Sequence, residues 1–411
     1  MTIPMDAPKW FRPRAYMHFD VPVGASYARS INHKVVSENG WSPLIHYMKE
    51  DRRYRPLENK TVKKPRPIMY ASHRDACILA SYSHKLSQKL DAVYRRVGLH
   101  ESVVAYRSLG KSNYDFAKRV QDYVKARETI TVMCFDVTGF FDNLDHALLK
   151  KRLKWLFNVD ELSDDWYKVL RHVTKYRFVN LDDLKNVPHI KTRLDARKRQ
   201  PIASIPEIKA AGVLVNKNKK QKGIPQGTPI SASLSNLYMI DFDLEILAET
   251  LSRGGLYQRY SDDILIACPP SKAEELEALV KSRLGTNGLE LQAKKTERKT
   301  FSGQRTLSFQ YLGYQLGQGD ALIRPGSLSR QWRTARRVIA KAERVGKRAI
   351  SKGAADRVYL RKLHNKFNNV LSRNFISYAN KSGDTLASKA IKKQLKKMRK
   401  HISDEMKRLK P

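Results

Sequence analysis

Asp262 and Asp263 stand side by side within residues 256–268, LYQRYSDDILIAC. Apolar and aromatic residues lead up to the pair and an apolar run leads away, a pattern that predicts two β-strands joined by a tight turn. Adjacent carboxylates at the tip of such a hairpin repel each other and call for a counter-charge. A divalent cation such as Mg²⁺ suits oxygen donors. A solvated turn would account for the pair alone, because Asp is a favoured turn residue. A second stretch changes that balance. Residues 131–137, TVMCFDV, are again strand-like and carry Asp136 near their end. Two strands presenting Asp136, Asp262 and Asp263 could hold two metal ions. Such a pair, about 4 Å apart, activates an attacking hydroxyl and stabilises a leaving phosphate oxygen.

The rest of the chain must position these groups and manage a large positive charge. It has 411 residues, 41% of them hydrophobic, enough for one large fold or a few subdomains. Lys and Arg number 79 against 40 for Asp and Glu, a formal net charge of +39. That imbalance disfavours a compact state unless a polyanion shares the space, and nucleic acid is the natural partner. No apolar run is long enough to span a bilayer, and the N-terminus lacks the apolar core of a signal peptide. No membrane role is therefore expected. Cys77, Cys134 and Cys268 are widely spaced and read as buried thiols of a reducing compartment, a cytoplasm.

Residues 63–97 begin basic and Pro-rich and run into an amphipathic helix through Ile78, Leu79, Tyr82, Leu86 and Leu90. Ser112 or Asn113 is the expected cap of a following helix. Asp142, Asp145 and His146 sit at the start of another, and a structural role is expected for them. Residues 158–222 form a long spacer with two basic runs, either an RNA grip or a solvated loop. A helix near residues 271–284 and a strand at 289–291 come after the Asp-Asp hairpin. Beyond about residue 325 the chain predicts three basic amphipathic helices. Their stripes run through Trp332, Ala335, Val338, Ala342 and Val345; through Leu360, Leu363, Phe367, Val370 and Leu371; and through Ile391, Leu395, Met398, Ile402, Met406 and Leu409.

Three blocks in order, FDVTGFFDNLDH (135–146), GIPQGTPISASLSNLYM (223–239) and YSDD (260–263), resemble the signature blocks of reverse transcriptases. The resemblance covers about residues 63–316. It implies an α+β right-hand polymerase fold: an N-terminal extension (1–60), fingers (61–129), a ferredoxin-like palm (130–320, with the insertion at about 158–222) and a helical basic thumb (321–411). It implies that Asp136, Asp262, Asp263 and the Val137 carbonyl hold two Mg²⁺ ions, for which Mn²⁺ can substitute. The substrates are then deoxynucleoside triphosphates. By the same resemblance Arg66, and less directly Lys64, contact the triphosphate, and Gly139 and Phe140 present backbone amides to it. Phe141 lies under the sugar and excludes a 2′-hydroxyl, or else is core packing. Gln226 meets the nascent pair, and Lys294 or Lys295 lies near the pyrophosphate. Arg107, Lys111, Gly227, Tyr260, the Tyr311-Leu312-Gly313 grip, Arg333 and Arg337 are expected to touch nucleic acid.

The expected activity is RNA-directed DNA synthesis in which the protein positions charge. An RNA-dependent RNA polymerase is the rival enzyme, but it favours Gly-Asp-Asp and a polar residue where Phe141 stands. A non-catalytic RNA-binding protein is the rival class, and three intact carboxylates argue against it. The length leaves no room for RNase H, protease or integrase domains. No Val-Thr-Gly signature comes after the grip block, as a retron enzyme would have; intron-type enzymes are the other alternative. The chain is most similar to compact bacterial defence-associated reverse transcriptases. That likeness implies a structured non-coding RNA as template, an RNA–DNA duplex product and a role against phage.

Overall fold

The computed structural model describes residues 6–55, 59–303, 306–367 and 373–409. Its centre is an antiparallel sheet of β3 (Thr129–Asp136), β6 (Leu256–Tyr260), β7 (Asp263–Cys268) and β8 (Glu297–Ser302), in the spatial order β6-β7-β3-β8. Helices Ser231–Tyr238, Ile240–Ser252 and Ala273–Thr286 connect these strands and cover one face. Taken in chain order the strands are second, third, first and fourth across the sheet, the ferredoxin-like arrangement expected. One boundary differs from expectation. The closing strand is β8, whereas Leu291 makes only an isolated bridge to Val137. The 289–291 run is too short to continue pairing once it has met the end of β3.

Both faces of β3, β6 and β7 are covered, so these strands read as largely apolar runs, whereas β8, ERKTFS, buries only Phe301. Met133, Phe135, Ile264 and Ile266 face the main core with the helix His73–Arg96. Val132, Leu265 and Phe301 face a second core, closed by the helices Asn113–Lys125 and Phe375–Thr385. The Asn113–Lys125 helix begins at the Ser112 capping box, with Asp115 as its reciprocal partner.

A second sheet has the order β2-β1-β4-β5, from β1 (Leu44–Arg55), β2 (Lys60–Tyr70), β4 (Arg177–Asn180) and β5 (Asn216–Lys217). β4 pairs parallel with β1, Ile45 opposite Val179. The 158–222 spacer is therefore no solvated loop. It carries the helix Asp164–Thr174 and three shorter helices around Val179, Leu184, Ile190, Ile202 and Ile208, which share their core with Ile45.

At the C-terminal end a 27-residue helix, Pro325–Ser351, packs with Arg361–Phe367 and Lys389–Lys407 through Ala335, Ile339, Leu363, Phe367, Met398 and Ile402. The Phe375–Thr385 helix was not among the three expected, and it ties this unit to the central fold. Val345, expected on the apolar stripe, is exposed, and Val358 packs instead against the neighbouring Gly346, where an added Cβ would meet it at 2.7 Å. Val370 and Leu371 lie outside the described residues.

Two buried histidines give the fold an acid limit. His18 is fully buried; its Nδ1 accepts from the Phe19 amide at 2.8 Å, which leaves Nε2 as the donor to the Tyr70 carbonyl at 3.3 Å. His172 stacks on Trp41 at 4.2 Å. Burial lowers each from the ordinary 6.5 to about 3. The unfolded chain binds these protons at higher pH than the folded one, so their contribution is complete above pH 6.5 and is lost as pH falls toward 3. Each histidine steepens the loss by up to about 1.4 kcal/mol per pH unit. Urea unfolding at pH 7 and pH 5 checks this: His172→Phe is expected to flatten the pH dependence by about one proton.

Candidate active site

The hairpin register builds the site. Asp136 ends β3 directly opposite Asp263, which begins β7. Tyr260 pairs with Asp263 across the β6–β7 turn, leaving Ser261 and Asp262 as its tip. The Val137 amide donates to the Asp262 carbonyl at 3.3 Å, fastening the strand end to the turn. The three aspartates thus meet at one end of the sheet, where the two central strands lie side by side, although two of them are more than a hundred residues from the third in the chain.

The turn is strained and held. Ser261 takes φ +61°, a left-handed conformation that costs a non-glycine residue about 1–2 kcal/mol. Arg259 Nη1 donates to the Ser261 carbonyl at 3.0 Å, and the Tyr106 hydroxyl shares a 2.9 Å hydrogen bond with Ser261 Oγ. Arg259 is itself gripped by Asp243, from the Ile240–Ser252 helix, through two bonds of 2.6 Å. Both side chains are 0% exposed. The Tyr257 hydroxyl adds a donor to Asp243 at 2.5 Å, and Asn236 accepts from Arg259 at 3.3 Å. Burial opposes the charge on Arg259, and Asp243 more than offsets it, so its pKa lies above the ordinary value. Sequence reasoning missed this pair. The signal was a lone arginine inside an otherwise buried strand, LYQRY, with one aspartate on the buried face of the preceding helix.

The charges at this end are crowded. Asp263 opens to the cleft surface but has protein on most sides. That desolvation, then Asp262 and Asp136, pushes its pKa up to about 6, while Lys295 and Arg324 pull it down. Lys295 Nζ sits 2.6 Å from Asp136 Oδ1. The structure thus brings Lys295 to the site; the side chain of Lys294 lies outside the described residues. All-oxygen donors and mutually repelling carboxylates fit a hard divalent cation. As they stand, however, no three metal-ligating side chains converge tightly enough to cage an ion among the described residues, and an ammonium occupies Asp136 instead.

Around this end of the sheet, Gly139 takes φ +53° just before a short 3-10 turn, Phe140–Asp142. Phe140 turns its ring into the main core, leaving only its backbone to the cleft. Phe141 is half-buried, its ring 5.4 Å from that of Phe140. Gln226 lies beside β2, where its carbonyl accepts the Met69 amide at 2.8 Å. Gly227 is demanded by that approach: a Cβ there would stand 2.6 Å from the Met69 carbonyl oxygen. Arg66 is exposed on β2, opposite Lys49; the Lys64 side chain lies outside the described residues. Tyr260 is half-buried, its ring 6.5 Å from that of Tyr106, and Lys111 is exposed. Leu312 (φ +47°) and Gly313 (φ +91°) form the two-residue tip between β9 (Phe309–Tyr311) and β10 (Tyr314–Leu316). β10 pairs in turn with β11 (Leu322–Ile323), and Arg333 and Arg337 are exposed on the following helix.

Two expected contacts are corrected. Arg107 is not available to nucleic acid: its side chain is 3% exposed, bound to Asp91 at 2.6 Å and to the His100 and Val103 carbonyls. Tyr311 is 4% exposed, and its hydroxyl accepts from Gln258 inside the second core. In both cases the block is present but the side chain points inward.

The family model described as reverse transcriptase (RNA-dependent DNA polymerase) matches residues 57–316. No curated protein matches the chain. Among solved structures, apo telomerase from Candida tropicalis truncated from its C-terminal domain aligns with TM-score 0.45 at 14% identity, over 68% of this chain and 55% of that one. Telomerase from Candida albicans, in complex with a TWJ fragment of telomeric RNA, aligns with TM-score 0.45 at 14% identity, over 92% and 58%. Apo telomerase from Candida tropicalis gives 0.46 and 13%, over 90% and 60%. The chain therefore spans little more than half the length of these telomerase chains.

Proposed function

We propose, for a chain that belongs to the reverse transcriptase family, that it copies RNA into DNA by nucleotidyl transfer at the β3–β7 end of the sheet. The observation that carries this reading is the register of Asp136 against Asp263, with Asp262 beside them. Asp136, Asp262, Asp263 and the Val137 carbonyl would hold the divalent ions. Mg²⁺ held by these residues would supply a lowered pKa for the primer hydroxyl and a counter-charge for the departing pyrophosphate. The protein's own part is positional. The Arg259–Asp243 pair and Tyr106 set the turn that carries Asp262 and Asp263, so those two carboxylates are held in place ahead of transfer, whereas Asp136 has to exchange Lys295 for an ion. Lys295 supplies a cation at the carboxylates, suited to the leaving phosphates. The exposed Arg66 faces the same task from β2, with the fork geometry that suits phosphate.

Phe141 is the proposed sugar gate. Phe141→Ala is expected to raise ribonucleotide incorporation relative to deoxynucleotide by about 10-fold or more, since one removed steric clash is worth roughly 1–3 kcal/mol. Primer extension with each nucleotide type measures the ratio. An unchanged ratio would mean that the ring only packs against Phe140.

The finer reading is a structured non-coding RNA as template, copied to an RNA–DNA duplex in a bacterial cytoplasm as defence against phage. The charge of +39 supports the RNA partner, and the likeness to compact defence-associated enzymes supports the role. No helix among the described residues is long and apolar enough to cross a membrane. Sequencing the nucleic acid that co-purifies with the protein tests the reading: one discrete RNA with complementary DNA is expected, and a random RNA population would count against it.

A further inference from the structure

A groove of ≈ 1170 Å³ opens between the N-terminal segment at Trp41 and the folded 158–222 region. Among the described residues seven cations line it and no carboxylate does. Arg171 and Lys168 come from the Asp164–Thr174 helix, Lys175 and Arg177 follow it, Lys217 ends β5 with Lys219 just beyond, and Lys150 comes from the helix His146–Phe157. None of the seven makes a salt bridge among the described residues, whereas many other surface cations do. Concentrating uncompensated positive charge in a concavity is costly in isolation and favourable beside a polyanion.

Two further features separate the groove from a generally basic surface. Its wall carries aromatic faces: Trp41 stacked on His172, and Tyr167 with Lys150 over its ring at 5.5 Å. Buried nitrogens are also left without partners there. His172 is 8% exposed, and its Nε2 and the Trp41 Nε1 have no hydrogen-bond partner among the described residues. Such orphaned groups are rare in folded proteins and call for a partner, which water, an ion or a bound ligand can supply. The groove floor joins the catalytic end of the sheet. The Gln221 carbonyl accepts the His146 amide at 3.0 Å, and Lys222 reaches Asn143, whose amide bonds the Thr138 and Gly139 carbonyls at the turn after Asp136.

From this we propose that the groove is a second RNA site, apart from the three aspartates, in which a single strand lays its phosphates on the Arg171–Arg177 and Lys217–Lys219 cations and stacks a base at Trp41 or Tyr167. Phosphate contacts would give affinity and aromatic faces a sequence-tolerant seat. The inference rests on the reading of the chain as an RNA-copying enzyme. It also gives a task to the 158–222 region that the chemistry of nucleotide transfer does not require.

The test is binding of a short, unstructured, uridine-rich RNA to the full chain across a salt series, with no nucleotide and no divalent ion present. The result therefore does not depend on whether the protein polymerises. The variant is Arg171→Gln, Arg177→Gln and Lys217→Gln combined. Three lost phosphate contacts are expected to reduce the slope of log affinity against log salt by about 2, and to weaken binding about 10-fold or more. Extension of a short primer–template duplex should be unchanged. An unaltered slope in a folded variant would overturn the proposal. So would an equal loss of extension on the short duplex, which would assign these cations to the catalytic cleft. Displacement of RNA by polyglutamate or by free nucleoside triphosphate at equal phosphate or charge concentration would overturn it in favour of an acidic protein or a nucleotide channel. A second measurement does not need the variant to fold: 4-thiouridine RNA crosslinked to the unmodified protein should label Trp41, residues 164–177 or residues 216–221, and labelling confined to other segments would overturn the site.

Discussion

Replacing Asp262 by Asn is expected to lower nucleotide incorporation by about 10³-fold or more while leaving the chain folded and bound to RNA. Removing one electrostatic partner of a developing charge typically costs 10²–10³ in rate, and here the same change also removes an ion ligand. Stability should move the other way. Asp262 is one of the charges that push Asp263 up to about 6, so its neutralisation relieves repulsion there. In the absence of divalent ions the variant should melt at or above the temperature of the parent. Added Mg²⁺ should stabilise the parent more than the variant, because a ligand stabilises only the state that binds it. Primer extension and thermal unfolding with and without Mg²⁺ report both effects. Parent-like incorporation by the variant would end the catalytic reading of this site.

The second large effect belongs to Asp243. Asp243→Asn strands the Arg259 guanidinium, which is wholly buried, without its counter-charge. Breaking a buried pair in this way costs about 3–5 kcal/mol. That is a large part of the roughly 5–15 kcal/mol that holds a domain together. Poor soluble yield and a much lower unfolding midpoint are expected. Replacing both partners, as in Asp243→Leu with Arg259→Met, should recover most of the stability, because apolar packing can stand in for a buried pair. It should not recover incorporation, since the Ser261 carbonyl then loses its donor and the left-handed turn keeps only the weaker ties to Tyr106 and Val137. Arg259→Lys, which keeps the charge but not the fork, should fall between. A double variant that is both stable and fully active would show that the turn holds its shape unaided.

The central sheet was legible because its information is local. Apolar runs that lead up to or away from the aspartates mark β3, β6 and β7 directly, whereas the polar β8 carries no such signal and was missed. The 158–222 region was not legible in the same way. Its core is completed by Ile45, far away in the chain, so no window of sequence there reads as self-sufficient. Arg107 and Tyr311 show a different limit. A motif identifies a position, but only the packing around it shows whether the side chain faces the cleft or the interior. Arg259 is the converse: a charge in the middle of an apolar strand looks like an interruption until its partner on another element is seen. Lys294 and Lys295 could not be separated by spacing, and the ion pair to Asp136 brings the second of them to the carboxylates.

The parallel pairing of β1 with β4 bears on how the chain is made. An emerging β1–β2 hairpin leaves the ribosome with one edge open, and its neighbour is encoded more than a hundred residues later. Until that neighbour is synthesised, the nascent sheet exposes a row of unpaired backbone groups, a template for association with other chains. Slow translation of the segment between them would lengthen that exposure. Yield in a foreign host should therefore respond to chaperones and to growth temperature more than to changes at the aspartates.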